Sequence, residues 1–228
     1  MVKPLIAMVG VTLTLMCAPA FSSGKALSQY PLHAAAQQDN VHAIDQLLSA
    51  GSEIDACDQS GSTALLVAAR ANSIGAAKAL IDAGANVNAK DSMQDSAYLY
   101  SGARGHLEIL KMTLAHGADL KSTNRYGGTA LIPAAERGHV ETARTLIDAG
   151  VAIDHVNNLG WTALLEAIML GDGGKRHQQI VDLLLKAGAN PDLADRDGIT
   201  PLQHARKRGF GEIEDLLLAA QARPDATN

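Results

Sequence analysis

A pattern of residues recurs about every 33 positions through most of this 228-residue chain. Glycines follow apolar runs at positions 51, 84, 117, 150 and 188, at intervals of 33, 33, 33 and 38 residues. Residues suited to begin a helix recur with the same spacing at Tyr30, Thr63, Ser96, Thr129, Thr162 and Thr200. A segment of this length has too little apolar surface to fold alone, so neighbouring segments must stack on a common core.

Each segment carries the signals of two short helices. Thr or Ser at the first position is a good N-cap because its hydroxyl accepts a hydrogen bond from a backbone N–H. Pro31 and Pro201 follow such positions, where proline removes no intrahelical bond. Gly84 and Gly150 suit the left-handed residue that ends the second helix. We therefore expect a chain of paired helices joined by turns.

The same residues resemble the ankyrin repeat. The resemblance is carried by the period, by Tyr30-Pro31-Leu32-His33-Ala34-Ala35, by Gly128-Thr129-Ala130-Leu131, by Arg137-Gly138-His139 and by Ala187-Gly188-Ala189-Asn190. It implies an all-α ankyrin-repeat solenoid of about six helix-turn-helix units with projecting hairpin loops. The domain would span 27–222, with units near 27–57, 58–90, 91–123, 124–156, 157–194 and 195–222.

Some units depart from the pattern. Asp39 and Asn72 stand where the mid-unit glycine belongs, and Gln94 replaces a loop glycine. Pro133 should remove one hydrogen bond early in its helix. Five extra residues between Gly171 and His177 should lengthen the turn between the two helices of the fifth unit, as a flexible bulge or as a second partner contact.

The first 20 residues have the layout of a secretory signal peptide. Lys3 precedes an almost wholly apolar stretch at 5–16, and Ala18-Pro19-Ala20 offers a cleavage site. The apolar stretch is shorter than the roughly 20 residues that span a bilayer, although a retained anchor is the alternative. We expect a 21–26 leader, a 223–228 tail, and a protein in the Gram-negative periplasm or secreted, without membrane contact after cleavage.

No catalytic or ligand-binding motif stands out in the sequence. A nucleophile elbow, a phosphate-binding loop, a CxxCH site and an HExxH helix are all missing, so we expect no enzyme activity, cofactor or metal site. His106, His139 and His177 share one position in successive units. Such a ladder repeats at about 8–10 Å, too far for a shared metal ion, so these histidines should bond helix ends or adjacent loops. The net charge of −5 argues against a nucleic-acid partner.

The family resemblance places partner binding on the concave side, at the hairpin tips and the ends of the first helices. Carried over by position, the candidate residues are Arg70, Met93, Arg104, Arg125, Tyr126, Arg137, Leu159, Trp161, Met169 and Arg208. Arg, Tyr and Trp dominate the energetics of many interfaces. The arginines predict a protein partner with an acidic patch, while Trp161 has the alternative role of packing on the next loop.

The sequence favours a non-enzymatic exported protein-binding module. Leu202-Gln203-His204-Ala205-Arg206 and the Leu-Gly-Asp-Gly-Gly insertion resemble exported bacterial ankyrin proteins, which implies a catalase accessory role or neutralisation of a toxin. One alternative is sequestration of haem or a metal by His155, His204 or the Tyr98/Tyr100 pair. Another is a structural or oligomeric role, in which Cys57 would link two chains that are otherwise expected to be monomers.

Overall fold

A computed structural model describes residues 30–222, and within that range every regular element is an α-helix. The helices are α1 (Pro31–Gln37), α2 (Val41–Ser49), α3 (Ala64–Ala71), α4 (Ile74–Asp82), α5 (Ala97–Arg104), α6 (Leu107–Ala115), α7 (Leu131–Glu136), α8 (Val140–Asp148), α9 (Ala163–Met169), α10 (Lys175–Lys186), α11 (Pro201–Arg208) and α12 (Gly211–Gln221). Six helical pairs result, as the sequence predicted.

The helical pairs stack in two layers. The first helices of successive pairs contact one another from α1 to α11, and the second helices do the same from α2 to α12. Leu80, Leu146 and Leu184 of the second helices are fully buried, and so are Leu65 and Leu164 of the first helices. These buried leucines form the core, and the hairpins that connect the pairs project from one edge.

Hydroxyl caps begin four of the first helices. Thr63, Ser96 and Thr162 each accept a hydrogen bond of 3.2 Å from the backbone N–H three residues later. Thr200 does the same at 3.3 Å, and Gln203 Oε1 accepts a hydrogen bond from the Thr200 backbone N–H at 2.9 Å. The predicted N-caps at these four positions are confirmed.

The fourth unit begins its first helix differently. The helix starts only at Leu131, and Thr129 Oγ1 is buried without a hydrogen-bond partner among residues 30–222. In the other units the N–H four residues after the cap binds the cap carbonyl, as Glu166 N–H does at Thr162. Pro133 occupies that position here and has no N–H. The Ile132 N–H binds the Thr129 carbonyl at 3.2 Å instead, which tightens the first turn.

Residues with a left-handed backbone conformation end helices and turns at the positions that the 33-residue period predicts. Gly84 and Gly150 have φ values of +93° and +89°, as predicted for residues following a helix. Asp39, Asn72 and Gln94 adopt φ values of +54°, +54° and +63°. These three residues thus adopt the same left-handed backbone conformation as the glycines they replace.

The insertion in the fifth unit lengthens a helix as well as a turn. Helix α10 has 12 residues, whereas α4, α6 and α8 each have 9. The remaining turn is held by Asp172, whose Oδ1 accepts from the Gly174 N–H at 2.9 Å and pairs with His177 Nδ1 at 2.7 Å. The extra residues therefore lengthen the turn, as predicted, and they also extend the helix, because Lys175, Arg176 and His177 join α10.

The proposed signal peptide at 1–20, the leader at 21–26 and the tail at 223–228 lie outside the described residues. Within 30–222, no helix has both the length and the apolar character needed to cross a bilayer.

Two matched substitutions test the capping difference. Thr162→Val removes a cap bond from α9 and should lower the free energy of unfolding by about 1 kcal/mol. Thr129→Val replaces a buried, unpaired hydroxyl with a methyl group and should leave stability unchanged or raise it. Urea denaturation of both variants measures the difference. Equal losses of unfolding free energy would contradict the conclusion that Thr162 caps its helix and Thr129 does not.

Candidate protein-binding groove

An Asp or Asn side chain holds each hairpin tip. One side-chain oxygen accepts two backbone N–H bonds of 2.8–3.1 Å, from the residues two and four positions later. The residues are Asp58, Asp91, Asn124, Asn157 and Asp195. This arrangement is the turn that Asx side chains form with their own backbone, and it fixes the direction in which the tip residues project.

In three of these hairpins the other side-chain atom reaches a first helix or its end. Asp91 Oδ2 pairs with the Arg70 guanidinium at 2.5 Å, and Asp195 Oδ2 contacts His204 Nε2 at 2.8 Å. Asn157 Nδ2 donates to Glu166 Oε1 at 2.8 Å. The hairpin tips and the first helices are therefore fastened together along the concave side, which makes a rigid groove.

A cavity of about 440 Å³ lies in the middle of this groove, and we call it the groove cavity. Seven of the ten predicted site residues line it: Arg70, Met93, Arg104, Arg125, Tyr126, Arg137 and Leu159. Tyr100, Asn124, Pro133, Glu166 and Leu170 also line it. The structure thus brings most of the candidate residues to one place.

Exposed apolar side chains surround the groove cavity. Met93, Tyr126, Leu159 and Leu170 keep 46%, 52%, 47% and 50% of their surface exposed. They are half of the eight large apolar residues that stand exposed within 30–222. Such a concentration around one concavity is typical of an interaction site.

Each predicted arginine of the cavity has a defined contact. Arg104 lies 5.5 Å from the centre of the Tyr100 ring, and the Arg70 guanidinium lies 5.7 Å from the same ring. Arg125 covers the Tyr126 ring at 4.8 Å. These cation–π contacts hold the guanidinium groups in place without neutralising their charge.

Arg137 and Arg208 also cap helices of the preceding units. Arg137 donates to the carbonyl of Ala103 at 2.6 Å, and Arg208 donates to the carbonyl of Met169 at 2.5 Å. Both carbonyls belong to the C-terminal end of a first helix in the preceding unit, where a cation is favourable. These two arginines therefore connect successive units and also present charge to the surface.

Three predicted site residues lie away from the groove cavity. Arg208 binds the carbonyls of Met169 and Gly171 and covers the Phe210 ring at 4.8 Å. Met169 and Trp161 are half-buried. The Trp161 backbone closes the hairpin with Asn157, and the exposed apolar residue of that hairpin is Leu159.

Glu166 on α9 is the residue of the cavity that sequence reasoning missed. Its side chain is largely buried, the residue being 6% exposed, and its one hydrogen bond within the described range comes from Asn157. Burial, and next the charge of Glu136, raise the pKa of Glu166 to about 7, against the Asn157 bond and Arg137, which lower it. The carboxyl group therefore changes its charge near neutral pH.

Two of the three ladder histidines bond backbone carbonyls, as the sequence predicted. His106 contacts the carbonyl of Ala69 at 2.9 Å, and His177 contacts that of Glu136 at 2.9 Å. His139 shows no such bond in the described part of the chain; burial, and then nearby cations, lower its pKa. The ladder thus fastens second helices to the ends of first helices in the preceding units at two of its three positions.

Of the residues considered for haem or metal, the two histidines are hydrogen-bonded, Tyr98 is buried, and the half-buried Tyr100 ring contacts the guanidinium groups of Arg70 and Arg104. His155 Nε2 contacts the carbonyl of Gly127 at 2.7 Å, and His204 pairs with Asp195. Tyr98 is fully buried, and burial raises its pKa above the ordinary value. No three His, Cys, Asp or Glu side chains between 30 and 222 converge on a point that could hold a metal ion. Cys57 is a free and exposed thiol.

Glu166→Gln should change how stability depends on pH. A carboxyl group with a raised folded-state pKa stabilises the fold below its unfolded pKa of about 4.5, and this contribution disappears as pH rises through 7. The wild-type protein should therefore lose about 2 kcal/mol more than the variant between pH 5 and pH 8. Urea denaturation at both pH values, with the exposed Glu53→Gln as control, measures this; parallel losses in all three proteins would contradict it.

Comparison with known proteins identifies the family. The family model described as ankyrin repeats, three copies, matches residues 2–91 and 98–195. An ankyrin repeat domain of Acinetobacter baumannii AYE is 71% identical, covers 86% of this chain and 100% of its own, and superposes with a TM-score of 0.83. The ankyrin repeat protein EF0377 is 42% identical, covering 83% of this chain and 96% of its own, with a TM-score of 0.80.

More distant and shorter matches agree. The human ASB11 ankyrin repeat domain is 26% identical, covering 87% of this chain and 86% of its own, with a TM-score of 0.72. The ankyrin repeat protein YahD of Escherichia coli (strain K12) is 60% identical over 57 residues, which are 25% of this chain and 28% of that relative. The chain belongs to the ankyrin-repeat family, whose stacked units are protein-binding modules.

Proposed function

We propose that this protein is a non-enzymatic binding module that holds a partner protein in the groove cavity. The observation that carries the proposal is the coincidence of one concave cavity with half of the large exposed apolar side chains within 30–222. The Asx bonds and the cation–π contacts hold the surrounding side chains before a partner arrives. A preformed site loses less conformational entropy on binding.

The partner would meet the cavity with an acidic and apolar surface. Arg104, Arg125 and Arg137 line the cavity, are exposed, and form no ion pair within the described residues. Leu159 and Leu170 offer the apolar contact beside them. Complementary charge would steer association and orient the partner, and burial of the leucines would supply affinity.

Export is part of the proposal and rests on the sequence of residues 1–20. A signal peptide there would deliver the module to the Gram-negative periplasm or the medium. Support of a catalase and neutralisation of a toxin remain predictions from the resemblance, and the identity of the bound protein decides between them.

Substitution of the two cavity leucines tests the proposed function. Leu159→Ser and Leu170→Ser, introduced together, should weaken partner binding about 100-fold, since each removes an apolar contact worth about 1–2 kcal/mol at the centre of an interface. Affinity capture from periplasmic extract, followed by quantitative mass spectrometry, identifies the partner and measures its retention.

Val156→Ser is the matched control for this experiment. Val156 is 47% exposed, as is Leu159, but does not line the cavity. The control should retain the partner at the wild-type level. Equal retention by the double variant and the control would exclude the groove cavity as the binding site.

A further inference from the structure

The floor of the groove cavity holds a carboxyl group with unused hydrogen-bonding capacity. Glu166 Oε1 accepts from Asn157 Nδ2, and Oε2 has no hydrogen-bond partner within residues 30–222. The corresponding contact of the next unit joins Asp195 to His204, and Asp91 instead meets Arg70 of the preceding unit. At Glu166 the hairpin supplies only a neutral amide. A partner that closes the cavity must therefore satisfy this carboxyl group.

The charges around the mouth of the cavity select what can enter. Arg70 is neutralised by Asp91 and Asp95. The guanidinium groups of Arg104, Arg125 and Arg137 have no such partner in the described chain. An anionic group that enters is attracted by these three arginines, whereas a cationic group is repelled by them.

Few other titratable groups face Glu166 from the helices packed against α9. Helix α7 and its end contribute Glu136, which raises the pKa of Glu166, and Arg137, which lowers it. Helix α10 contributes His177, which is held by Asp172. Helix α11 contributes His204, which is held by Asp195, and Arg208, which binds two carbonyls. The state of Glu166 is thus controlled mainly by its burial and by Glu136.

We propose, building on the function proposed above, that the groove cavity receives an Asp or Glu side chain of the partner, which accepts a hydrogen bond from the protonated carboxyl group of Glu166. Arg104, Arg125 and Arg137 balance the charge of the incoming carboxylate. Oε1 keeps its bond to Asn157, and Oε2 carries the proton that is donated. Binding therefore takes up one proton whenever Glu166 is ionised in the free protein.

Proton uptake makes the affinity depend on pH with a definite sign. The pKa of Glu166 in the free protein is raised to about 7 by burial, and an adjacent carboxylate raises it further in the complex. Affinity is highest below that pKa and falls as pH rises through it. Between pH 6 and pH 8 the loss should be about tenfold.

Glu166→Gln separates this proposal from a cationic occupant. The glutamine Oε1 keeps the bond from Asn157, and its Nε2 becomes a donor at every pH. The variant should therefore bind at pH 8 as tightly as the wild type does at pH 6. An occupant that brings a cation to Glu166 would instead bind more weakly at low pH and lose affinity in the variant.

Random heptapeptides displayed on phage serve as the probe, because they make no assumption about the partner. The peptides are selected on the purified wild-type protein at pH 6, with removal of clones that also bind the Leu159→Ser, Leu170→Ser protein. Synthetic copies are then titrated by fluorescence anisotropy at pH 6 and pH 8 against the wild type, Glu166→Gln and Glu53→Gln. Glu136→Gln should lower the pH at which affinity falls, since it removes a charge that raises the pKa of Glu166.

The possible results separate this inference from the proposed function. The inference is supported if the selected peptides share an Asp or Glu and bind the wild type about tenfold more tightly at pH 6 than at pH 8. The same peptides should bind Glu166→Gln equally at both pH values. The inference is overturned if groove-dependent peptides are basic, bind with an affinity that does not change with pH, or no longer bind Glu166→Gln. Such peptides would still support the proposed function. Failure to select any groove-dependent peptide counts against both.

Discussion

One side-chain oxygen at the start of each hairpin is the interaction on which the concave surface depends. It accepts two backbone N–H bonds, and it recurs at Asp58, Asp91, Asn124, Asn157 and Asp195. Because the first oxygen fixes the tip, the second atom of Asp91, Asn157 and Asp195 is free to reach a first helix or its end. The stack of helices thereby determines where the exposed residues of the tips lie.

Several residues in the middle of the groove lower the stability of the fold. Tyr98 and Thr129 each have a buried hydroxyl without a hydrogen-bond partner among the described residues, the Glu166 carboxyl group is largely buried, and Pro133 disturbs the first turn of α7. Uncompensated groups of this kind cost stability, and both Pro133 and Glu166 line the groove cavity. A loss of stability of this kind is expected where a surface is shaped for recognition rather than for packing alone.

The 33-residue period predicted the helices and most caps, since each depends on position within a unit. The ten candidate residues came from the resemblance to the ankyrin repeat, and seven of them line the cavity. The burial of Glu166 escaped prediction because it results from contacts between units. The extension of α10 escaped prediction because Gly-Asp-Gly-Gly is typical of a turn, while the Lys-Arg-His that follows begins the helix. Trp161 was singled out by residue type, yet Leu159 of the same hairpin is the exposed apolar residue.

Site-specific photo-crosslinking in the native cells shows whether the groove cavity is the surface that holds the partner. Benzoylphenylalanine is placed at Leu159 or Leu170 beside the groove cavity, and at Ile74 or Val156, which are exposed elsewhere. If the groove cavity holds the partner, one discrete protein is crosslinked from both cavity positions and from neither of the other two. Crosslinking of that protein from Ile74 or Val156 while both cavity positions stay silent would contradict it.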